Sequence, residues 1–167
     1  MMPRIIRLIR HLFESQLLTR RRFSRQTLDQ IESAVRAAEA SHAGELQVVI
    51  ETDLDVWAIV TGKTSRQRSL EVFAASGVWD TEANNGVLLY ILCADRHVQV
   101  VADRGFNGIV TEAEWRGVCA AMEADFRAGR WAEGVVAGVN AAAILVGRHF
   151  PSSGQRGNEL PNRPILL

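Results

Sequence analysis

The chain is expected to fold as an α/β protein: a three-layer α/β/α sandwich around a small mixed sheet, Rossmann-like in order. Three observations predict it. Gly86–Ala94, GVLLYILCA, is apolar on both faces, as a strand buried between two helix layers must be. Glu45–Glu51, ELQVVIE, is β-branched and apolar at Val48-Val49-Ile50, and a helix-length segment separates it from Gly86, so these two strands should run parallel. His97–Asp103 follows the short turn Ala94-Asp95-Arg96 and should return antiparallel.

The helices that cover this sheet are read from periodicity. Residues 4–18, RIIRLIRHLFESQLL, form an amphipathic helix with Ile5, Ile6, Leu8, Ile9, Leu12, Phe13 and Leu17 on one face and Arg4, Arg7, Arg10, His11 and Glu14 on the other. Arginines interrupt its apolar run, so it reads as neither a signal peptide nor a membrane span. Two uses of the apolar face stay open: packing on the domain or on a second subunit, or lying on an anionic membrane surface with help from Arg20, Arg21 and Arg22. Residues 24–41 form a second helix with Leu28, Ile31, Val35 and Ala38 inward, started by Ser24 or by a Thr27/Gln30 capping box. Trp57–Gly62 is ambiguous between a short helix and a loop. A third helix covers 64–76, opened by Thr64 with Gln67, and has Leu70, Phe73, Ala74 and Gly77 along one side. Thr111 and Glu114 form a capping box for a fourth, which carries Trp115, Val118, Cys119, Met122 and Phe126 and stops at Gly129. A fifth spans 130–149, with Gly134 and Gly138 allowing close approach. Residues 151–167 hold three prolines with Ser, Gly and Asn and read as a disordered tail. The organisation expected is therefore an N-terminal helix over 1–23, a domain over 24–150 and a tail over 151–167.

A chain of 167 residues with 47% hydrophobic and 23% charged residues is an ordinary globular domain with room for a core. The net charge of zero hides an asymmetry: residues 1–25 hold seven Arg and one Glu, hence +6, which leaves −6 for the rest. These arginines lack interleaved aromatics and a recognition module, so nucleic acid is not the expected partner. Cys93 and Cys119 sit in apolar segments and read as small buried hydrophobes, which suits a reducing cytoplasm. Gly62-Lys63-Thr64 lacks the upstream glycine of a phosphate-binding loop, since Trp57 stands in its place.

Strand direction sorts the polar residues between two edges. The carboxyl edge of the parallel pair should gather Glu51, Asp53, Asp55, Asp95, Arg96 and His97. The amino edge should gather Asp80, Glu82, Asn84 and Asn85, joined by Asp103 and Arg104 from the antiparallel strand. The second group has the better inventory. Asp80, Glu82 and Asp103 are candidate ligands for a hard cation, Ca or Mg, while Asn84, Asn85 and Arg104 are candidate ligand-binding groups. The competing reading is structural: Asp80 and the asparagines cap or turn the backbone, and Asp103 and Arg104 pair with neighbours. No serine or cysteine has an obvious base, so no catalytic residue is named. Of the four histidines, His97 alone sits at a strand edge.

The run Glu45–Glu51, Phe73, Val78-Trp79-Asp80-Thr81-Glu82, Asn84-Asn85-Gly86-Val87-Leu88, Asp95-Arg96 and Gly105–Gly108, followed by Phe126-x-x-Gly129, Glu133-Gly134 and Val139, resembles the TPM domain family over roughly residues 25–150. The resemblance implies a Rossmann-like α/β sandwich. Acid phosphatase activity and calcium binding have been proposed for some members, and many carry a signal peptide and a membrane anchor. This chain shows neither, and Val101-Ala102-Asp103-Arg104 stands where many members are aliphatic and glycine-rich. It is similar to a short cytoplasmic branch. The function expected is a non-catalytic module that binds a protein partner near the inner membrane face; the alternative is a divalent-metal-dependent phosphatase.

Overall fold

The structure, a computed structural model, describes residues 4–152, 154 and 157–167. The N-terminal and tail expectations extend over residues 1–3, 153, 155 and 156, which lie outside the described residues. In chain order the elements are α1 (Arg4–Phe13), α2 (Gln16–Arg22), α3 (Arg25–Glu39), β1 (Glu45–Glu51), α4 (Val56–Val60), α5 (Ser65–Ala75), β2 (Gly86–Leu92), β3 (His97–Ala102), a 3₁₀ turn (Arg104–Phe106), α6 (Glu112–Arg127), α7 (Trp131–His149) and β4 (Ile165–Leu166).

The sheet is mixed, in the order β3-β2-β1-β4. β1 pairs parallel with β2 from Glu45↔Gly86 to Glu51↔Leu92, and β3 returns antiparallel along β2. Alternation of side chains across the sheet creates two cores. Leu46, Val48, Ile50, Val87, Leu89 and Ile91 meet α3, α6 and α7, while Val49, Leu88, Tyr90, Leu92 and Val101 meet α4, α5 and Leu160. All these strand side chains are buried, so each contributes about 1.5–3 kcal/mol of apolar burial. Gly134 and Gly138 hold α7 against α6: a Cβ on Gly138 would stand 2.2 Å from Met122 Sδ. Phe126 stacks on Trp131 at 4.6 Å, with the Phe23 ring edge-on at 6.0 Å and the Arg22 guanidinium 4.5 Å over the indole. That cluster fastens the end of α2 to the helical layer.

The capping boxes of α5 (Thr64 with Gln67) and α6 (Thr111 with Glu114) form as their sequences require. α3 starts at Ser24, whose side chain accepts from Thr27 N–H, so the Thr27 alternative is not used. Trp57 lies in the short helix α4, capped by Asp55.

Three expectations are corrected and one open alternative is closed. The helix read over 4–18 is two helices, because Ser15 turns extended and accepts from Leu18 N–H as a new N-cap. Glu14, in the break, pairs with Arg22. Of the uses left open for the apolar face of α1, packing on the domain is closed: Arg7 and His11 turn inward with Leu8, and Ile5, Ile6, Ile9, Leu12 and Phe13 are exposed. The inner side of α5 is Ser65, Ser69 and Val72 with Phe73 partly buried against the second core, while Leu70 and Ala74 are exposed. Within the tail, residues 157–167 are not unstructured. Ile165–Leu166 add a parallel strand to the free edge of β1, Leu167 N–H donates to Ile50 O, Thr52 N–H donates to Leu167 O, and Leu160 is buried.

Candidate functional site

The amino edge is built by the turn between α5 and β2. Asn84 N–H donates to Thr81 O, and Asn85 N–H donates to the Thr81 hydroxyl at 3.0 Å. Asn84 takes a left-handed conformation (φ 52°), which asparagine tolerates better than most residues. Its carbonyl accepts from Gly105 N–H, and its Oδ1 accepts from Arg104 Nε at 2.7 Å. Two glycines are demanded by closeness: a Cβ on Gly86 would lie 2.0 Å from Val78 O, and one on Gly105 2.4 Å from Asn84 O. The Asn84-Asn85-Gly86 and Gly105 signals are therefore two halves of one contact between adjacent strands' ends.

Asp103 is buried there. Its Oδ1 accepts from Arg104 N–H at 2.7 Å, and its Oδ2 has no partner among the described residues. Asn85 is fully buried, donates Nδ2–H to Ala43 O at 2.6 Å and leaves Oδ1 unpartnered. Asp103 also lines a cleft of about 460 Å³ between β3 and α6, walled by Phe106 and Trp115 and rimmed by Arg66 and Arg116. The Phe106 and Trp115 rings meet edge to face at 5.7 Å.

The candidate residues thus share an edge as strand direction required, but the structure divides their work. Asn84 and Arg104 bind each other, Asn85 ties β2 to the segment before β1, and Asp103 starts the 3₁₀ turn. Asp80 and Glu82 are exposed, and Glu82 N–H donates to the Glu159 carboxylate. Among the described residues no three His, Cys, Asp or Glu side chains converge as a cation site, Asp80, Glu82 and Asp103 included.

Sequence reasoning missed a neighbouring group. His42, just before β1, is buried; its Nδ1 accepts from Gly44 N–H, leaving Nε2–H without a partner among the described residues. Burial lowers the pKa of this imidazole. With Glu39 and Glu45 it lines a cleft of about 610 Å³. Burial likewise raises Glu39 to about 7, against hydrogen bonds from Leu46 N–H and Asn162 that favour its charged form. Only the proximity of His42 to the strand start was visible in the sequence.

The carboxyl edge is closed by α1. Arg7 donates to Asp95 Oδ2 from Nε at 2.9 Å and to Lys63 O from Nη1 at 2.7 Å. His11 is buried between two partners. Its Nδ1 accepts from Leu54 N–H at 2.9 Å, so its proton is on Nε2, which donates to Asp95 Oδ1 at 3.1 Å. Burial raises the Asp95 carboxyl, but the hydrogen bond from His11 and the Arg7 charge outweigh it and hold the pKa below the usual carboxylate value. Beside it, Arg68 grips Glu51 with Nε and Nη2, and Tyr90 O–H donates to Glu51 Oε2 at 2.5 Å. Burial, then the Glu51 hydrogen bond, push the Tyr90 phenol far up. His97, the histidine singled out by position, is half exposed and pairs with Glu123 at 2.9 Å; His11 is the one built into an edge. Cys93 is buried and its thiol is pushed up to about 12, which removes it as a nucleophile.

These features define a three-layer α/β domain with a mixed four-stranded sheet. The TPM domain family matches residues 19–144, most of the sequence, and the chain belongs to that family. Among solved structures it is similar to the BA42 protein of the psychrophilic bacterium Bizionia argentinensis, with 27% identity, a TM-score of 0.71, and 85% of this chain and 93% of that one covered. The N-terminal domain of a protein from P. gingivalis shares the fold at 24% identity and TM-score 0.60, covering 80% of this chain and 82% of that one. The N-terminal domain of a Corynebacterium glutamicum protein does so at 15% and 0.56, covering 81% and 82%. No curated protein sequence matches.

Proposed function

We propose that this TPM domain is a non-catalytic accessory module, working by attachment rather than turnover, at the cytoplasmic face of the membrane. One observation carries the reading. The carboxyl edge of the sheet, where open α/β folds usually receive ligands, is occupied by the chain's own α1 through Arg7 and His11 on Asp95. The same docking turns the apolar side of α1 outward as a binding face. The free thiols Cys93 and Cys119 suit a reducing compartment.

A second reading, a phosphomonoesterase, is favoured by the unpartnered Asp103 Oδ2 beside the cleft that Arg66 and Arg116 rim. Arginines there could bind a phosphoryl group. The test is hydrolysis of para-nitrophenyl phosphate by the full chain, with and without millimolar calcium or magnesium. The accessory reading expects the wild type and Asp103→Asn to release product at the same background rate. Turnover that Asp103→Asn abolishes replaces it with the phosphatase.

A further inference from the structure

We infer that the outward face of α1, α2 and α4 docks on an anionic lipid bilayer, an inference that rests on the accessory-module reading and names what the module attaches to. Four observations converge. First, the face is strongly apolar and uncovered: Phe13 is 77% exposed and Ile5 73%, and Ile9, Leu12 and Leu17 join them. Second, α1 cannot roll to hide it. Arg7 and His11 pin the opposite side of the helix to Asp95, Lys63 O and Leu54 N–H, while Leu8 is the residue that packs inward.

Third, α4 packs against α1 and extends the face with Val56, Val60 and Trp57, the last 74% exposed. An indole suits the headgroup boundary, where its ring is buried and its N–H stays wet. At ten residues, α1 is too short to cross a bilayer and suited to lie in its surface plane. Fourth, the charge fits. The side chains of Arg10, Arg20 and Arg21 are exposed and make no ion pair or hydrogen bond among the described residues, within a segment of net +6. Two copies meeting through this face would bring the same arginines together, whereas an anionic surface attracts each of them. The bilayer would then touch the carboxyl edge of the sheet and leave both amino-edge clefts facing away.

The experiment uses the full chain with vesicles of phosphatidylcholine alone or mixed equally with phosphatidylglycerol, read by sedimentation and tryptophan emission. Partition onto the anionic vesicles should exceed that onto neutral ones by at least about ten-fold and fall as salt rises. Phe13→Ser, at an exposed position that leaves thermal unfolding unchanged, should lose about ten-fold in partition. Arg20→Gln and Arg21→Gln should each lose about five-fold. Emission should shift to the blue on binding, and Trp57→Phe should abolish the shift although Trp79, Trp115 and Trp131 remain. Equal partition onto the two vesicle types, or a shift that survives Trp57→Phe, overturns the inference. Absent vesicle binding with concentration-dependent dimers that Phe13→Ser dissolves gives the face to a second copy and also overturns it. A chain that binds vesicles yet hydrolyses phosphomonoesters through Asp103 overturns the accessory reading and leaves this inference standing; an inert chain that ignores vesicles does the reverse.

Discussion

At the carboxyl ends of β1 and β2 the chain meets its own charges. Asp95 has Arg7 and His11, and Glu51 has Arg68 and Tyr90. At the amino ends, Asp103 Oδ2, Asn85 Oδ1 and His42 Nε2 are buried with no partner among the described residues. The first edge is held by electrostatics between segments far apart in sequence. The second is held by close backbone contact at Gly86 and Gly105, with polar capacity left over. One lesson is that acidic residues at a sheet edge do not by themselves mark a site, because a distant helix can satisfy them. The other is that steric changes should injure the amino edge, and charge changes the carboxyl edge.

The largest effect should come from Gly86→Ala, whose Cβ would stand 2.0 Å from Val78 O and force backbone apart. We expect a loss of about 3 kcal/mol in chemical unfolding. A loss under about 1 kcal/mol would show that the amino edge yields, and would break the contrast. Glu51→Ala should cost about 2 kcal/mol, because the buried Tyr90 O–H loses its acceptor, while the partly exposed Arg68 recovers water. Glu51→Gln should cost less in the same measurement, since an acceptor oxygen remains.

A pH series separates the edges further. Glu39 has its pKa raised from 4.5 to about 7, so between these values the folded protein binds the proton more readily than the unfolded chain. Its contribution is complete below about 4.5 and is lost as pH rises through about 7. Water reaches part of this carboxyl, so the expected decline is about 1–2 kcal/mol. Stability measured from acid to mild alkali should flatten in Glu39→Gln; an unchanged slope assigns the decline to another group. Asp95 behaves oppositely. Its carboxyl is held below the ordinary value, so its contribution is present above the unfolded value of about 3.9 and is lost as pH falls through the folded one. Asp95→Asn should cost about 1 kcal/mol, the smallest of the four effects, and appear as faster amide exchange in α1 with α6 and α7 unchanged. Uniformly faster exchange would show that α1 does not detach by itself.

Much of the fold was legible because it is local. The apolar run Gly86–Ala94, the β-branched centre of Glu45–Glu51 and the stripes of α3, α6 and α7 report burial by their own spacing. The boxes at Thr64 and Thr111 close within four residues. Strand direction also put the candidate residues on the right edges. Less of the site was legible. Nothing near Asp103 in sequence says that Arg104 N–H takes one carboxylate oxygen and leaves the other alone, and nothing near His11 announces Asp95, 84 residues away.

The sequence by itself determined the layers, the mixed sheet and the family, since periodicity, capping and turn chemistry are properties of short segments. Tertiary structure alone decided which side of α1 meets the domain. Periodicity reports that a helix has two faces; it does not say that Asp95, deprived of water at the sheet edge, will draw the basic face inward and turn the apolar one out. The same holds for Ile165–Leu166. A two-residue strand in a proline-rich stretch has no pattern of its own and exists because β1 offers an open edge to pair with.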